Sequence, residues 1–310
     1  MEPYPEDLLI AVANLYFLED FTQKEIAERM GQSRIAVTRM LKRARDEGLV
    51  RISIERPLPE HVDLALKLER RFGLASATVV PTGANAKATL QEIGKAGARV
   101  LERQSLSGQR LGVAWSETVR SILPYVERIA SPPLCVNELA GTYLAPSTPY
   151  GVSFPLAEKL GVALESIPMP VLVRSARVRT MMIQEPAIGK ALENAAKVRL
   201  AIVGLGNVSR DSSIMKTGYI EPEYLVELKM KGAVGDILMR YYDEQGRSIS
   251  TSFSDKIVSL SMDRIRQIPF VLALAFGSKK VAAIHGALCG RLIQGLVTDS
   301  RSAEALLRHA

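Results

Sequence analysis

Thr22-Gln-Lys-Glu-Ile-Ala-Glu-Arg-Met-Gly-Gln-Ser-Arg-Ile-Ala-Val-Thr-Arg-Met-Leu-Lys-Arg-Ala-Arg-Asp-Glu-Gly48 reads as two helices joined by a three-residue turn. Thr22 and Glu25 stand at capping-box spacing, so a helix should begin at Gln23, with Ile26, Ala27 and Met30 on one side. Gly31-Gln32-Ser33 supplies a helix stop and a fresh N-cap, the turn that a helix-turn-helix unit requires. In the second helix Val37, Met40, Leu41 and Ala44 recur at i, i+3, i+4, i+7 and form a narrow inner stripe. Ile35, Thr38, Arg39, Lys42 and Arg43 then fall on the opposite face. Such a helix can lay that face in the major groove of operator DNA, its first turn at Gln32, Ser33 and Arg34 nearest the bases. Gly48 ends it, and the alternation from Leu49 to Glu55 predicts a short strand behind the helices.

Charge supports a DNA-binding module. Arg29, Arg34, Arg39, Lys42, Arg43, Arg45, Arg51 and Arg56 face only Asp46, Glu47 and Glu55 over the same stretch, whereas the preceding segment is acidic. Positive charge is therefore focused where phosphates would be met. A length of 310 residues allows roughly two domains, and 47% hydrophobic residues suffice for a real core. No apolar run is long enough to span a bilayer, and the opening MEPYPEDLL lacks the basic start and apolar centre of a signal peptide. Cys135 and Cys289 lie far apart in apolar surroundings and read as buried free thiols, and His61, His285 and His309 show no ligand spacing. The expectation is a cytoplasmic protein without metal or cofactor.

Pro57-Leu58-Pro59 breaks the pattern and predicts a boundary, with residues 1–56 as the DNA-binding domain and 57–310 as a second, larger one. His61 to Phe72 reads as a helix, placed either to join protomers or to pack on its own domain. Short apolar runs then alternate with helical patterns. The runs are Ala77–Val80, Leu111–Ala114, Leu134–Val136, Leu200–Val203, Val234–Leu238, Ile257–Leu260, Val271–Phe276 and Leu296–Thr298. The helix candidates include Leu90–Arg103, Ile188–Lys197, Pro222–Met230 and Lys279–Leu288. Buried strands alternating with helices predict an α/β domain with a mainly parallel sheet.

Ligands of such sheets bind beyond the carboxyl ends of the strands. Three segments fit. In Gly112-Val-Ala-Trp-Ser-Glu-Thr118, Ser116 or Thr118 with backbone N–H groups could hold a phosphate, or either could simply cap a helix. Gly204-Leu-Gly206, followed by Ser212 and Ser213, could serve a ligand or merely a tight turn. Asp236 and Lys280 are ionisable groups beside apolar strands, and form either a binding pair or a structural ion pair. Trp115 is the single tryptophan, a core residue or a pocket wall.

On these residues the chain resembles the SorC family of bacterial sugar-responsive transcriptional regulators, over nearly its whole length. The likeness rests on Phe21–Met30 and Val37–Gly48 in the first domain. In the second it rests on Gly204-Leu-Gly206 with Ser212-Ser213, Gly232–Ile237, Gly277-Ser-Lys-Lys280 leading into Ala282–Ile284, and Leu296–Asp299. The resemblance implies an effector domain similar to the ribose-5-phosphate isomerase and glucosamine-6-phosphate deaminase fold, and a dimer or tetramer. It also implies effector contacts at Ser116, Thr118, Gly204, Gly206, Ser212, Ser213, Asp236 and Lys280. Asp236 would accept sugar hydroxyls and Lys280 would meet a phosphate or carbonyl. The family's usual Trp-Gly is Trp115-Ser116 here, which narrows the phosphate loop.

The sequence thus predicts a regulator whose partners are operator DNA, a small sugar phosphate, sugar or polyol, and further copies of itself. An active sugar-phosphate isomerase or deaminase carrying a DNA-binding domain is the alternative. Against it, no second carboxylate or histidine is arranged with Asp236 and Lys280 for proton transfer. A sigma-like factor would share the helix-turn-helix pattern but leaves residues 57–310 unexplained.

Overall fold

The computed structural model describes residues 4–52, 58–127, 129–142, 151–212, 215 and 221–309. Two compact units emerge, residues 1–58 and 59–310.

The first unit holds α1 (Glu6–Phe17), α2 (Gln23–Arg29) and α3 (Arg34–Asp46). Both anticipated caps form. Thr22 and Glu25 make a reciprocal capping box, and Ser33 Oγ accepts the Ala36 N–H at 3.1 Å. The inner stripe Val37, Met40, Leu41 and Ala44 is buried against Leu9, Val12 and Leu15 of α1 and Ile26 of α2. At about 1.5–3 kcal/mol per fully buried aliphatic side chain, this small core outweighs the weak intrinsic helicity of pieces this short. The predicted strand from Leu49 is not seen. Residues 49–52 form none, and 53–55 lie outside the described residues. Leu49 and Val50 pack on the three-helix core instead, with the Val50 N–H closing onto the Ala44 carbonyl.

The second unit begins with α4 (Glu60–Phe72), ended by Gly73 in a left-handed conformation at φ 66°. There follow β1 (Ser76–Val80), α5 (Ala86–Glu102), β2 (Arg110–Val113), α6 (Glu117–Arg120), β3 (Cys135–Glu138), α7 (Ser153–Leu160) and β4 (Ala163–Glu165). Next come α8 (Ala176–Ile183), α9 (Pro186–Ala195), β5 (Leu200–Gly204), β6 (Gly206–Asn207), α10 (Pro222–Met230), β7 (Gly235–Ile237) and β8 (Arg240–Tyr242). The chain closes with α11 (Met262–Gln267), β9 (Phe270–Leu274), α12 (Val281–Cys289), β10 (Gly295–Asp299) and α13 (Ser300–Arg308).

Among the described residues the main sheet has seven strands in the order β1-β10-β9-β5-β2-β3-β4, every pair parallel. It is buried on both faces, and the pleat sorts neighbours between them. Leu200 and Ile202 join the cluster under α5 and α7, while Ala201 and Val203 join the cluster under α4, α9 and α12. That is why these strands read as continuous apolar runs. α4 belongs to this sandwich, burying Leu64 and Leu68, so it packs on its own domain.

Two apolar runs behave differently. Val234–Leu238 does give a strand, but β7 pairs antiparallel with β6 and β8 in a separate three-stranded sheet. Ile257–Leu260 forms only isolated bridges, Leu172↔Ile257 and Ala140↔Ser259. The Arg240 guanidinium clamps it, donating to the carbonyls of Ser254, Ile257 and Ser259. Of the thiols, Cys135 is buried but Cys289 is exposed, because it ends α12 one turn after His285.

Candidate functional site

β2 sends the chain outward through β3 and β4, whereas β5, its other neighbour, leads the opposite way through β9 and β10. The sheet's switch point therefore lies between β2 and β5. Their carboxyl-end loops, Ala114–Ser116 and Gly204–Gly206, open a crevice there. The crevice holds a cavity of about 80 Å³, room for roughly half a dozen waters or a small polar ligand.

Six of the eight anticipated effector residues line it: Ser116, Gly204, Gly206, Ser212, Asp236 and Lys280. Thr118 does not. It is the second residue of α6, buried at 4% exposure, and its N–H donates to Ser116 Oγ at 3.2 Å. Ser116 is thus both a helix cap and a cavity wall. Ser213 lies outside the described residues. Trp115 lines the cavity while packing against the core, which unites the two roles left open for it.

Neither Gly204 nor Gly206 adopts a positive φ, so a tight turn is not their purpose. They make clearance. A Cβ on Gly204 would overlap Ser116 Oγ, and one on Gly206 would overlap Asp236 Oδ1. Gly206 sits directly opposite Asp236 across the β6–β7 pair, so the carboxylate occupies the space a Cβ would need.

Asp236 also holds the β7–β8 turn. Its Oδ2 accepts the Met239 N–H at 3.0 Å, and both turn residues, Leu238 and Met239, are left-handed at φ 55° and 62°. That conformation costs an L-residue about 1–2 kcal/mol, and such strain concentrates at functional sites. Here burial of both side chains at the cavity edge and the carboxylate bond offset it. Burial pushes the Asp236 carboxyl up to about 6. The same cause lowers the Lys280 ammonium, which Asp236 and Glu117 pull back upward. Among the described residues no contact ion pair joins Asp236 to Lys280; the two act on each other through space while both line the cavity.

Glu117 and Asn207 complete the polar wall and were not anticipated. Glu117 stands between Ser116 and Thr118, at the first helical position. It is also a second carboxylate facing Lys280, so the expectation that none accompanies the Asp236–Lys280 pair is corrected.

On the first unit, Gln32, Ser33, Arg34, Ile35, Thr38, Arg39 and Lys42 are exposed, with Ile35 open by 66%. Arg43 is half-buried and bound to Glu47 at 2.5 Å. Thr38 Oγ1 lies 2.8 Å from Gln23 Oε1 and 2.9 Å from the Arg34 carbonyl, which commits its only proton inside the protein.

Residues 56–308 match the family model described as "Putative sugar-binding domain", and residues 14–47 match that of Sigma-70, region 4. The transcriptional regulator LsrR of Enterobacter sp. (strain 638) is 31% identical over 97% of this chain and 93% of its own length. The chain belongs to the SorC family of sugar-binding transcriptional regulators. Within the family, the sorbitol operon regulator of Klebsiella pneumoniae is 29% identical over 97% of this chain and 98% of its own. The crystal structure of full-length SorC from that organism superposes with a TM-score of 0.75 at 28% identity, covering 99% of this chain and all of the other. The SorC family match takes in both units, which a likeness to sigma region 4 alone would leave half explained.

Proposed function

We propose that this SorC-family chain regulates a carbohydrate or polyol catabolic operon in the cytoplasm. In this reading α3 enters the major groove, and a small sugar phosphate, sugar or polyol in the Asp236–Lys280 cavity sets the grip on the operator. The observation that carries it is the cavity itself, lined by the Asp236 carboxylate and the Lys280 ammonium at the switch point of a sheet whose chain also carries a basic, exposed α3 face. Regulators of sorbitol and erythritol pathways among the relatives support the choice of operon class. A single helix-turn-helix reads few base pairs, so a dimer or tetramer on a palindrome is part of the proposal.

Glu117 removes the residue-based ground for setting aside an isomerase. The regulatory names of the full-length relatives favour regulation instead, and we expect no turnover of aldose phosphates. The test is operator binding by fluorescence anisotropy with and without candidate effectors. Lys280→Ala should keep operator affinity within about twofold while effector binding weakens by about 2–5 kcal/mol, the typical result of truncating one buried charged hydrogen-bond partner. An unchanged effector response in Lys280→Ala defeats the site assignment. A collapse of the melting temperature without ligand would make Lys280 structural.

A further inference from the structure

Charge in the cavity is unbalanced. Among its described lining residues Glu117 and Asp236 are carboxylates, and Lys280 is the sole cation. Lys279, the next cation along the chain, is ion-paired to Asp211 and does not line the cavity. Glu117 opens α6, lines the cavity from its exposed side, and its charge acts on Lys280.

The donors a phosphate would need are also scarce. α6 is four residues long, one of its free N–H groups (Thr118) is already taken by Ser116 Oγ, and that hydroxyl fills the space over Gly204. A dianion would therefore meet two carboxylates and one ammonium. A polyol meets a suitable set instead. Its hydroxyls donate to Asp236 and Glu117 and accept from Lys280, while Asn207 and Ser212 offer both roles.

We propose that the effector of this chain is an uncharged polyhydroxy compound, and that Glu117 is the residue that excludes its phosphate esters. This rests on the regulatory function proposed above and narrows its ligand class.

The experiment uses the full-length chain, a panel of four- to six-carbon polyols and aldoses each paired with its terminal phosphate ester, and inorganic phosphate as a separate probe. Dissociation constants come from calorimetry and operator affinities from anisotropy, for wild type, Glu117→Gln and Lys280→Ala. The strongest wild-type binder should be a neutral member whose own ester binds at least tenfold more weakly. Glu117 is exposed and its charge partly screened, so Glu117→Gln should tighten inorganic phosphate by about two- to fivefold. It should also weaken the neutral binder. A phosphate ester as strongest binder, with its effect on the operator lost in Lys280→Ala, overturns the inference and leaves the regulatory function standing. No gain of phosphate affinity in Glu117→Gln overturns it whatever the panel shows. Operator affinity that no neutral or phosphorylated member shifts counts against the regulatory function, and against this inference with it.

Discussion

The exposed face of α3 draws its residues from a single stretch between Gln32 and Arg43, whereas the cavity gathers its walls from five stretches between Ala114 and Lys280. In the first region the side chains other than Thr38, which reaches Gln23 of α2, are held by their own helix and can be replaced without disturbing the next. In the second, residues far apart in the chain are in contact: Gly204 with Ser116, Gly206 with Asp236. A change at one wall therefore moves another, and substitutions there should be strongly coupled where those on α3 are nearly additive.

Gly206→Ala is the severest way to break that contrast. A methyl group there overlaps Asp236 Oδ1, so the carboxylate must turn away and release the Met239 N–H. The left-handed Leu238–Met239 turn then loses its tether. We expect the effector response to vanish and stability to fall by about 1–3 kcal/mol, as for other overpacked sites. Operator affinity should stay within about twofold, since α3 is in the other unit. Calorimetric melting and anisotropy on the same variant decide it, and a full effector response in Gly206→Ala would show that Asp236 does not need that clearance.

The same contrast governs what the sequence could reveal. A one-helix face is written in helical periodicity, so Thr22, Ser33 and the Val37–Ala44 stripe could be read directly. The parallel strands were legible for a similar reason, since burial on both faces leaves uninterrupted apolar runs. Periodicity says nothing about which sheet a run joins, hence the misplacement of Gly235–Ile237 and the strand expected over Ile257–Leu260. Leu238 and Met239 were invisible because a hairpin turn usually announces itself with Asn-Gly or Asp-Gly, and these two carry no such signature. Of the two roles read for the glycines at 204 and 206, the tight turn is set aside, since neither has a positive φ. Their function lies in side chains met only after folding.

Acidity gives a subtler comparison. Burial raises the Asp236 carboxyl from 3.8 to about 6, so the folded state holds that proton more tightly than the unfolded chain. Asp236 therefore contributes stability that is fully present below about pH 3.8 and is lost as pH rises through about 6. Effector binding should run the other way. The ionised carboxylate accepts hydroxyl protons more strongly than the neutral acid, so affinity should fall below about pH 6, by no more than about tenfold per pH unit. In Asp236→Asn, which retains an acceptor for the Met239 N–H, both trends should flatten. Parallel profiles in wild type and Asp236→Asn, by melting and by effector titration between pH 5 and 8, would refute this. Operator affinity, set by the α3 face in the other unit, should show no such inflection.

The smallest effect tests additivity on α3 itself. Lys42 is exposed, while Arg43 is held by Glu47. If Lys42 meets a phosphate, Lys42→Ala removes one counterion's worth of salt dependence, a slope change of about 0.9 and roughly a threefold difference in relative affinity between 50 and 200 mM salt. Because it acts on phosphate rather than base edges, the loss should be equal on operator and on unrelated DNA. Arg43→Ala should change the slope less, since its charge is already partly answered by Glu47. Combining the two should give the sum of the single effects, because each side chain is anchored to the helix and not to the other. Equal slopes for Lys42→Ala and wild type would remove Lys42 from the DNA face. A double variant far from the sum would show that even this one-helix surface behaves as the cavity does.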